Sequence, residues 1–331
     1  MPIIYRDPVY DGAADPTVIR RETDGTYFMF YTQRRATLEC SGVEWAHGTK
    51  IGVAMCDRFG WPFSPGSDES GLNEYVEITE DSVYYPYPGE PEYVCFSNVM
   101  FSDKLPHDGY GYRRDKWYYA GTADLPFEEG KTTYWAPEVI FDGENYRMFV
   151  TSVDGVYADW SGKAEILQFI SPDLVKWTPL GAVPIDSPRV IDACAFPLPS
   201  GGWRLWYKDE ARGSHTFYID TFDFTYWIYG GTATSDTPQE GPNVFELGGR
   251  YWLVADVWED RLAVYVSDDL KRFERLKMKM LPANACHPDV YVEKDWAKIV
   301  YFTYPNRDRH SVICDDYLEV GEIDGVPWLL T

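Results

Sequence analysis

The sequence predicts an all-β fold, a five-bladed β-propeller, on three observations. Paired apolar runs joined by tight turns recur five times along the 331 residues. Apolar residues within each run recur with a spacing near two, the period of a strand, and no run sustains the i, i+4 spacing of an amphipathic helix. Aromatic residues make up 17% of the chain, with 26 Tyr and 13 Trp, an excess that suits pleated, half-buried surfaces. A repeat of roughly 50 residues holding several strands is the signature of propeller blades.

The units follow in order. The first runs from "ADPTVIRRETDGTYFMFYT" at 14–32 to "KIGVAMCDRFGWPFSPG" at 50–66. The second pairs "APEVIFDGENYRMFVTSV" at 136–153 with "AEILQFISPDLVKWTPLG" at 164–181. The third covers 191–210 and 214–230, the fourth 240–258 and 262–276, the fifth 286–304 and 311–320. Asp24-Gly25, Asp142-Gly143, Gly201-Gly202 and Gly248-Gly249 are hairpin turns between the first two strands of four units. The fifth turn, "EKDWA", has no glycine. Units close on a tail resembling S-x-D-L-x-x-W. No linker divides the chain, so residues 1–331 read as a single domain. An insertion at about 62–130, rich in Tyr, Pro and Gly, is expected to cover one face as a lid or wall, or to be a decorated loop.

Charge narrows the partners. With 53 acidic and 30 basic residues the net charge is −23. A field of that sign repels nucleic acid and anionic membranes and tolerates a neutral ligand. The six cysteines form no CxxC pair, which argues against a zinc site and for free buried thiols. The N-terminal "MPIIYRDPVYDG" lacks the basic and apolar regions of a signal peptide. No apolar stretch approaches the roughly 20 residues of a membrane span. The expected location is the cytoplasm; the oligomeric state is not legible.

In a propeller the first strand of each blade lines the axis, so the residue at its start faces a central funnel. Those positions read Asp15, Glu138, Asp192, Glu240 and His287. Each alone is explained by a turn or a strand cap, and Asp15 before Pro16 by an Asx-turn. Glu138 has the further alternative of holding a backbone amide or a tyrosine. Together, carboxylates crowded in a partly buried place raise one another's pKa values, a mark of a functional site. Two carboxylates across a cleft, one acid and one base, is the arrangement that cleaves glycosidic bonds, and a third can tune the acid.

"ADPTVIR", "WAPEVIFDG", "VIDACAF" and "EGPNVF", in this order, resemble glycoside hydrolase family 43 and related five-bladed propeller glycosidases. The resemblance spans nearly the whole chain. It implies an inverting glycosidase with Asp15 as general base, Glu240 as general acid and Asp192 as the group that orients and tunes the acid. It implies that His287 holds a metal ion or water on the axis, the alternative being a histidine satisfied in the fifth-blade core. No cofactor is expected to be required; an axial Ca²⁺, which prefers oxygen ligands, would be weakly bound. Trp135, Glu138, Glu210, Arg212, His215 and His287 are the expected substrate contacts. The "NDPNG" motif of retaining fructosidase-type relatives is absent. Glu210 and His215, in "WYKDEARGSHTFY", stay open as alternatives for the acid, or as ordinary loop polarity with a Glu210–Arg212 salt bridge. The expected partner is a neutral oligosaccharide cleaved from its end, with a furanoside or pentose at the cleaved position. The alternatives are a non-catalytic carbohydrate-binding propeller, and a retaining glycosidase or transglycosidase on the same scaffold.

Overall fold

The computed structural model describes residues 3–57, 59, 117–277, 281–294, 296–323 and 325–331. Five four-stranded antiparallel sheets stand around one axis. Blade one is β2 (Ala13–Arg20), β3 (Tyr27–Gln33), β4 (Lys50–Cys56) and β5 (Tyr118–Thr122). Blade two is β6 (Thr132–Phe141), β7 (Tyr146–Asp154), β8 (Ala164–Ser171) and β9 (Thr178–Ala182). Blade three is β10 (Val190–Pro197), β11 (Trp203–Asp209), β12 (His215–Thr221) and β13 (Trp227–Thr234). Blade four is β14 (Glu240–Leu247), β15 (Arg250–Asp256), β16 (Ala263–Ser267) and β17 (Glu274–Arg275).

Blade five closes the ring in a way the repeats do not reveal. Its β18 (Cys286–Val292), β19 (Ala297–Thr303) and β20 (Val312–Tyr317) are joined at the outer edge by the N-terminal β1 (Ile3–Tyr5). A separate hairpin, β21 (Glu319–Ile323) with β22 (Val326–Leu330), follows. Residues 62–116 of the predicted insertion lie outside the described residues. Tyr118–Thr122, within its predicted bounds, is the fourth strand of blade one.

The middle strands are apolar on both faces because each blade is covered by two neighbours. Phe28, Phe30 and Val53 of blade one meet Met148, Val150 and Phe169 of blade two. Phe149 and Ile166 meet Leu205 and Tyr207, and on the other face of β11 Trp206 meets Leu253 and Tyr265. Trp252 and Val254 meet Ile299 and Tyr301, and Val300 and Phe302 meet Met29 and Tyr31. Five blades thus make five interfaces. The repeated tail has a local cause: Ser171 Oγ accepts from Leu174 N at 2.9 Å while Asp173 Oδ1 accepts from Val175 N and Lys176 N. Ser267–Asp269 and Thr221–Asp223 form the same turn, and Leu174, Phe224 and Leu270 all have positive φ there.

The inner strands β2, β6, β10, β14 and β18 pack against one another around the axis. Each carries a bulge: the ladder shifts between Ala14 and Thr17, Trp135 and Glu138, Ile191 and Cys194, Glu240 and Asn243, and Cys286 and Asp289. The residues just past the bulges tie blade to blade. Glu138 Oε1 accepts from Ala195 N at 2.8 Å, and Cys194 Sγ from Val244 N at 3.2 Å. Asn243 Oδ1 accepts from Val290 N at 3.1 Å, and Asp289 Oδ2 from Val18 N at 2.8 Å. Asn243 also donates to Asp289 Oδ1 at 3.0 Å. Asn243→Ala leaves the Val290 N–H and an Asp289 oxygen unpartnered in a buried channel. It is predicted to lower unfolding stability in urea by about 2–4 kcal/mol; a loss below about 1 kcal/mol would mean these ties do not hold the ring.

Candidate active site

The bulges fix which residues are equivalent. Asp15, Ala136, Asp192, Gly241 and His287 are the first bulge residues, and all five have positive φ. Asp tolerates that conformation better than most residues, and backbone strain of this kind concentrates at functional places. Glu240 stands one residue earlier, level with Ala14, Trp135, Ile191 and Cys286. Glu138 stands two residues later, level with Thr17, Cys194, Asn243 and Asp289. The expectation that Glu138 shares the mouth with Asp15 is therefore corrected. It is 7% exposed, its carboxyl holds the Ala195 amide, and burial and then Asp289 push its pKa well up. With Asn243 and Asp289 it lines a cavity of about 360 Å³ that Asp15, Asp192 and Glu240 do not line.

Asp15, Asp192, Glu240 and His287 come together at the other side of the bulges. His287 Nδ1 lies 3.4 Å from Asp15 Oδ1, and the Arg34 guanidinium 3.6 Å from the same oxygen. Asp192 Oδ2 accepts from Gly241 N, next to Glu240, at 3.1 Å. Lys208 Nζ lies 3.2 Å from Glu240 Oε2. Asp192 is pushed up to about 6 by burial, with Glu240 and Asp15 adding to the effect and His287 and Lys208 opposing it. Gly241 is glycine for a local reason: its φ is 56°, and a Cβ there would stand 2.6 Å from His287 Cγ.

The other expected contacts scatter along the rim. Trp135 donates from Nε1 to Ala46 O at 2.6 Å and packs edge-on against His47 and Trp160. Glu210 sits on a 3-10 turn, Glu210–Arg212. The expected Glu210–Arg212 pair is not formed. Glu210 bridges Arg189 and Lys208, the latter at 3.1 Å, while Arg212 lies 3.4 Å from Asp209 and donates to Asp186 O. Burial works to raise the Glu210 pKa, but Lys208 and Arg189 outweigh it and hold it below the usual carboxylate range. His215 opens β12, its Nδ1 3.3 Å from Thr237 O, and makes no polar contact with the three acids. Among the described residues no three His, Cys, Asp or Glu side chains converge so as to hold a metal ion.

Three neighbours of the acids went unread in the sequence. Lys208 pairs across the ladder with Ile191, where blades one and two have Thr32 opposite Ala14 and Thr151 opposite Trp135. Those threonines accept from Ala136 N at 2.8 Å and Asp192 N at 3.0 Å. A lysine cannot accept, and the next amide in the series, Gly241 N, goes to Asp192 instead. That Thr-to-Lys change at a repeated position was the available signal. Asp256, directly opposite Glu240, is pushed up to about 6 by burial and then by Glu240. Arg34 follows the last residue of β3, donating to Tyr304 Oη beside Asp15.

No protein-family model matches this chain, and no curated protein does. Solved structures match along its length. A thermostable family-43 glycoside hydrolase superposes with a TM-score of 0.62 at 16% identity, over 98% of this chain and 95% of its own. An exo-1,5-α-L-arabinanase from a bovine ruminal metagenomic library gives 0.59 at 13% identity, over 99% of both. A family-43 β-xylosidase/α-arabinofuranosidase from a compost microbial metagenome, solved with xylotriose, gives 0.62 at 10% identity, over 99% and 96%. The chain thus shares the five-bladed propeller fold of these glycosidases.

The raised Asp192 pKa has a consequence for stability. Its folded-state value of about 6 lies above the ordinary 3.8, so the folded state binds the proton more tightly. Stability that the site allows at pH 4 is lost as pH rises toward 6. Asp192→Asn keeps an oxygen for the Gly241 amide and removes the charge. It is predicted to gain about 2–3 kcal/mol on the wild type between pH 4 and pH 6.5, read from urea unfolding at both pH values. Parallel pH profiles of the two proteins would contradict it.

Proposed function

We propose that the protein is a glycosidase that hydrolyses a neutral oligosaccharide from its end, with inversion at the anomeric carbon. The observation that carries this reading is the convergence of Asp15, Asp192 and Glu240 on one side of the axial bulges, two of them on strained, left-handed backbone. Asp15 is the general base: its carboxylate takes a proton from the water that attacks the anomeric carbon. Glu240 is the general acid: its carboxyl gives a proton to the departing glycosidic oxygen as the bond breaks. Asp192 orients the Glu240 backbone through the Gly241 amide, and Asp256 stands directly opposite Glu240 across the ladder. Past the bulges, hydrogen bonds between neighbouring inner strands hold the blades that carry the acids. A furanoside or pentose at the cleaved position is part of the proposal.

The test is a panel of aryl-glycosides and short oligosaccharides with the wild type and two variants. Asp15→Asn is predicted to lose at least about 100-fold in kcat while remaining folded. Glu240→Gln is predicted to lose as much on an oligosaccharide and far less on an aryl-glycoside whose leaving group needs little protonation. Near wild-type rates for both variants on an oligosaccharide would overturn the assignment.

The proposed steps use no metal ion. Incubation with EDTA is predicted to leave a substantial part of the activity; complete loss, restored by a divalent ion, would contradict this.

A further inference from the structure

Lys208 is 3% exposed, so its ammonium is a buried charge. Its Nζ lies 3.2 Å from Glu240 Oε2 and 3.1 Å from Glu210 Oε1. Glu210 is itself paired with Arg189, which donates also to Gly162 O. Four charges of alternating sign therefore run from Arg189 through Glu210 and Lys208 to Glu240, from the rim of blade three to the mouth of blade four. Burial works against the charge on Lys208, and Glu240, Asp192 and Glu210 outweigh it and hold the ammonium charged. The Trp258 ring lies 5.1 Å from the same Nζ.

A group that donates a proton in each turnover alternates between charged and neutral forms. If Lys208 had Glu240 as its sole partner, each protonation of Glu240 would leave a buried ammonium uncompensated, which is costly. Glu210, kept anionic by Arg189, removes that cost by giving Lys208 a permanent partner. We propose that Lys208 is the positioning residue of Glu240, steering its carboxyl and opposing its protonation, and that the Arg189–Glu210 pair holds Lys208 so that Glu240 can gain and lose a proton. This rests on the acid role given to Glu240 above. Among the described residues, the other charged or titratable groups around Glu240 include Asp192 from β10, Asp256 from β15, Cys286 and His287 from β18, and Arg34 after β3.

The test reads Glu240 directly. Protein carrying ¹³C at the glutamate side-chain carboxyl is titrated by NMR, with the Glu240 signal assigned by its absence in Glu240→Gln. In Lys208→Met the Glu240 midpoint is expected to move up by about one pH unit, because a nearby opposite charge is gone. In Glu210→Gln it is expected to move down, because Lys208 has lost its rim-side partner and a like charge near Glu240 has been removed. Lys208→Arg is expected to stay near the wild type. A merely structural lysine would not give opposite movements in the two variants. Unchanged midpoints, or movement in the same direction, would overturn the proposal. Because the titration needs no substrate, opposite movements in a protein that cleaves nothing in the glycoside panel would sustain this pairing and refute the function proposed above.

Discussion

Closing five sheets around a narrow axis is the constraint from which the rest of this structure follows. The inner strands bring their backbones together where there is little room for water, so every N–H needs a partner. The bulge in each inner strand breaks the ladder and strands an amide. Thr32 and Thr151 take those amides for the next blade. Beyond the bulge, Glu138, Cys194, Asn243 and Asp289 repeat the service with a different side chain each time. The polar residues nearest the axis thus begin as carriers of the fold, and the acids at the mouth are variations on that duty.

Asp192 shows how the two duties meet. Lys208 occupies the place of the accepting threonines, and Asp192 accepts the amide of Gly241 from across the blade boundary. That bond ties Asp192 to the backbone beside Glu240, while burial and the surrounding carboxylates disfavour its charge. Stability is thereby traded for a concentrated negative field at one spot. The same trade appears at Asp256, opposite Glu240. A core chosen for stability alone would not gather four carboxyls here.

Much of this was legible in the sequence, for physical reasons that can be named. Glycine turns and two-residue periodicity are local, so the hairpins of blades one to four could be read directly. Asp15, Asp192 and His287 could be placed because bulge residues recur at one point in each repeat. Glu138 falls two residues past the bulge position of its strand, because a bulge adds a residue that alternation cannot count. Closure of blade five by Ile3–Tyr5 was hidden because it pairs the two ends of the chain. Lys208, Asp256 and Arg34 were missed because they sit at or just past the ends of second strands, and only strand pairing brings them to the acids. Glu210 and Arg212, neighbours in sequence, turned to different partners because Arg189 and Lys208 surround Glu210 in space.

In the proposed mechanism Asp15 is a base acting on water rather than a nucleophile acting on sugar. That distinction is read most directly by proton NMR of the sugar at the earliest times of hydrolysis, before mutarotation mixes the anomers. The account predicts that the first anomer to appear is inverted relative to the bond cleaved. A retained anomer would contradict it and would require a covalent glycosyl–enzyme intermediate at the same mouth.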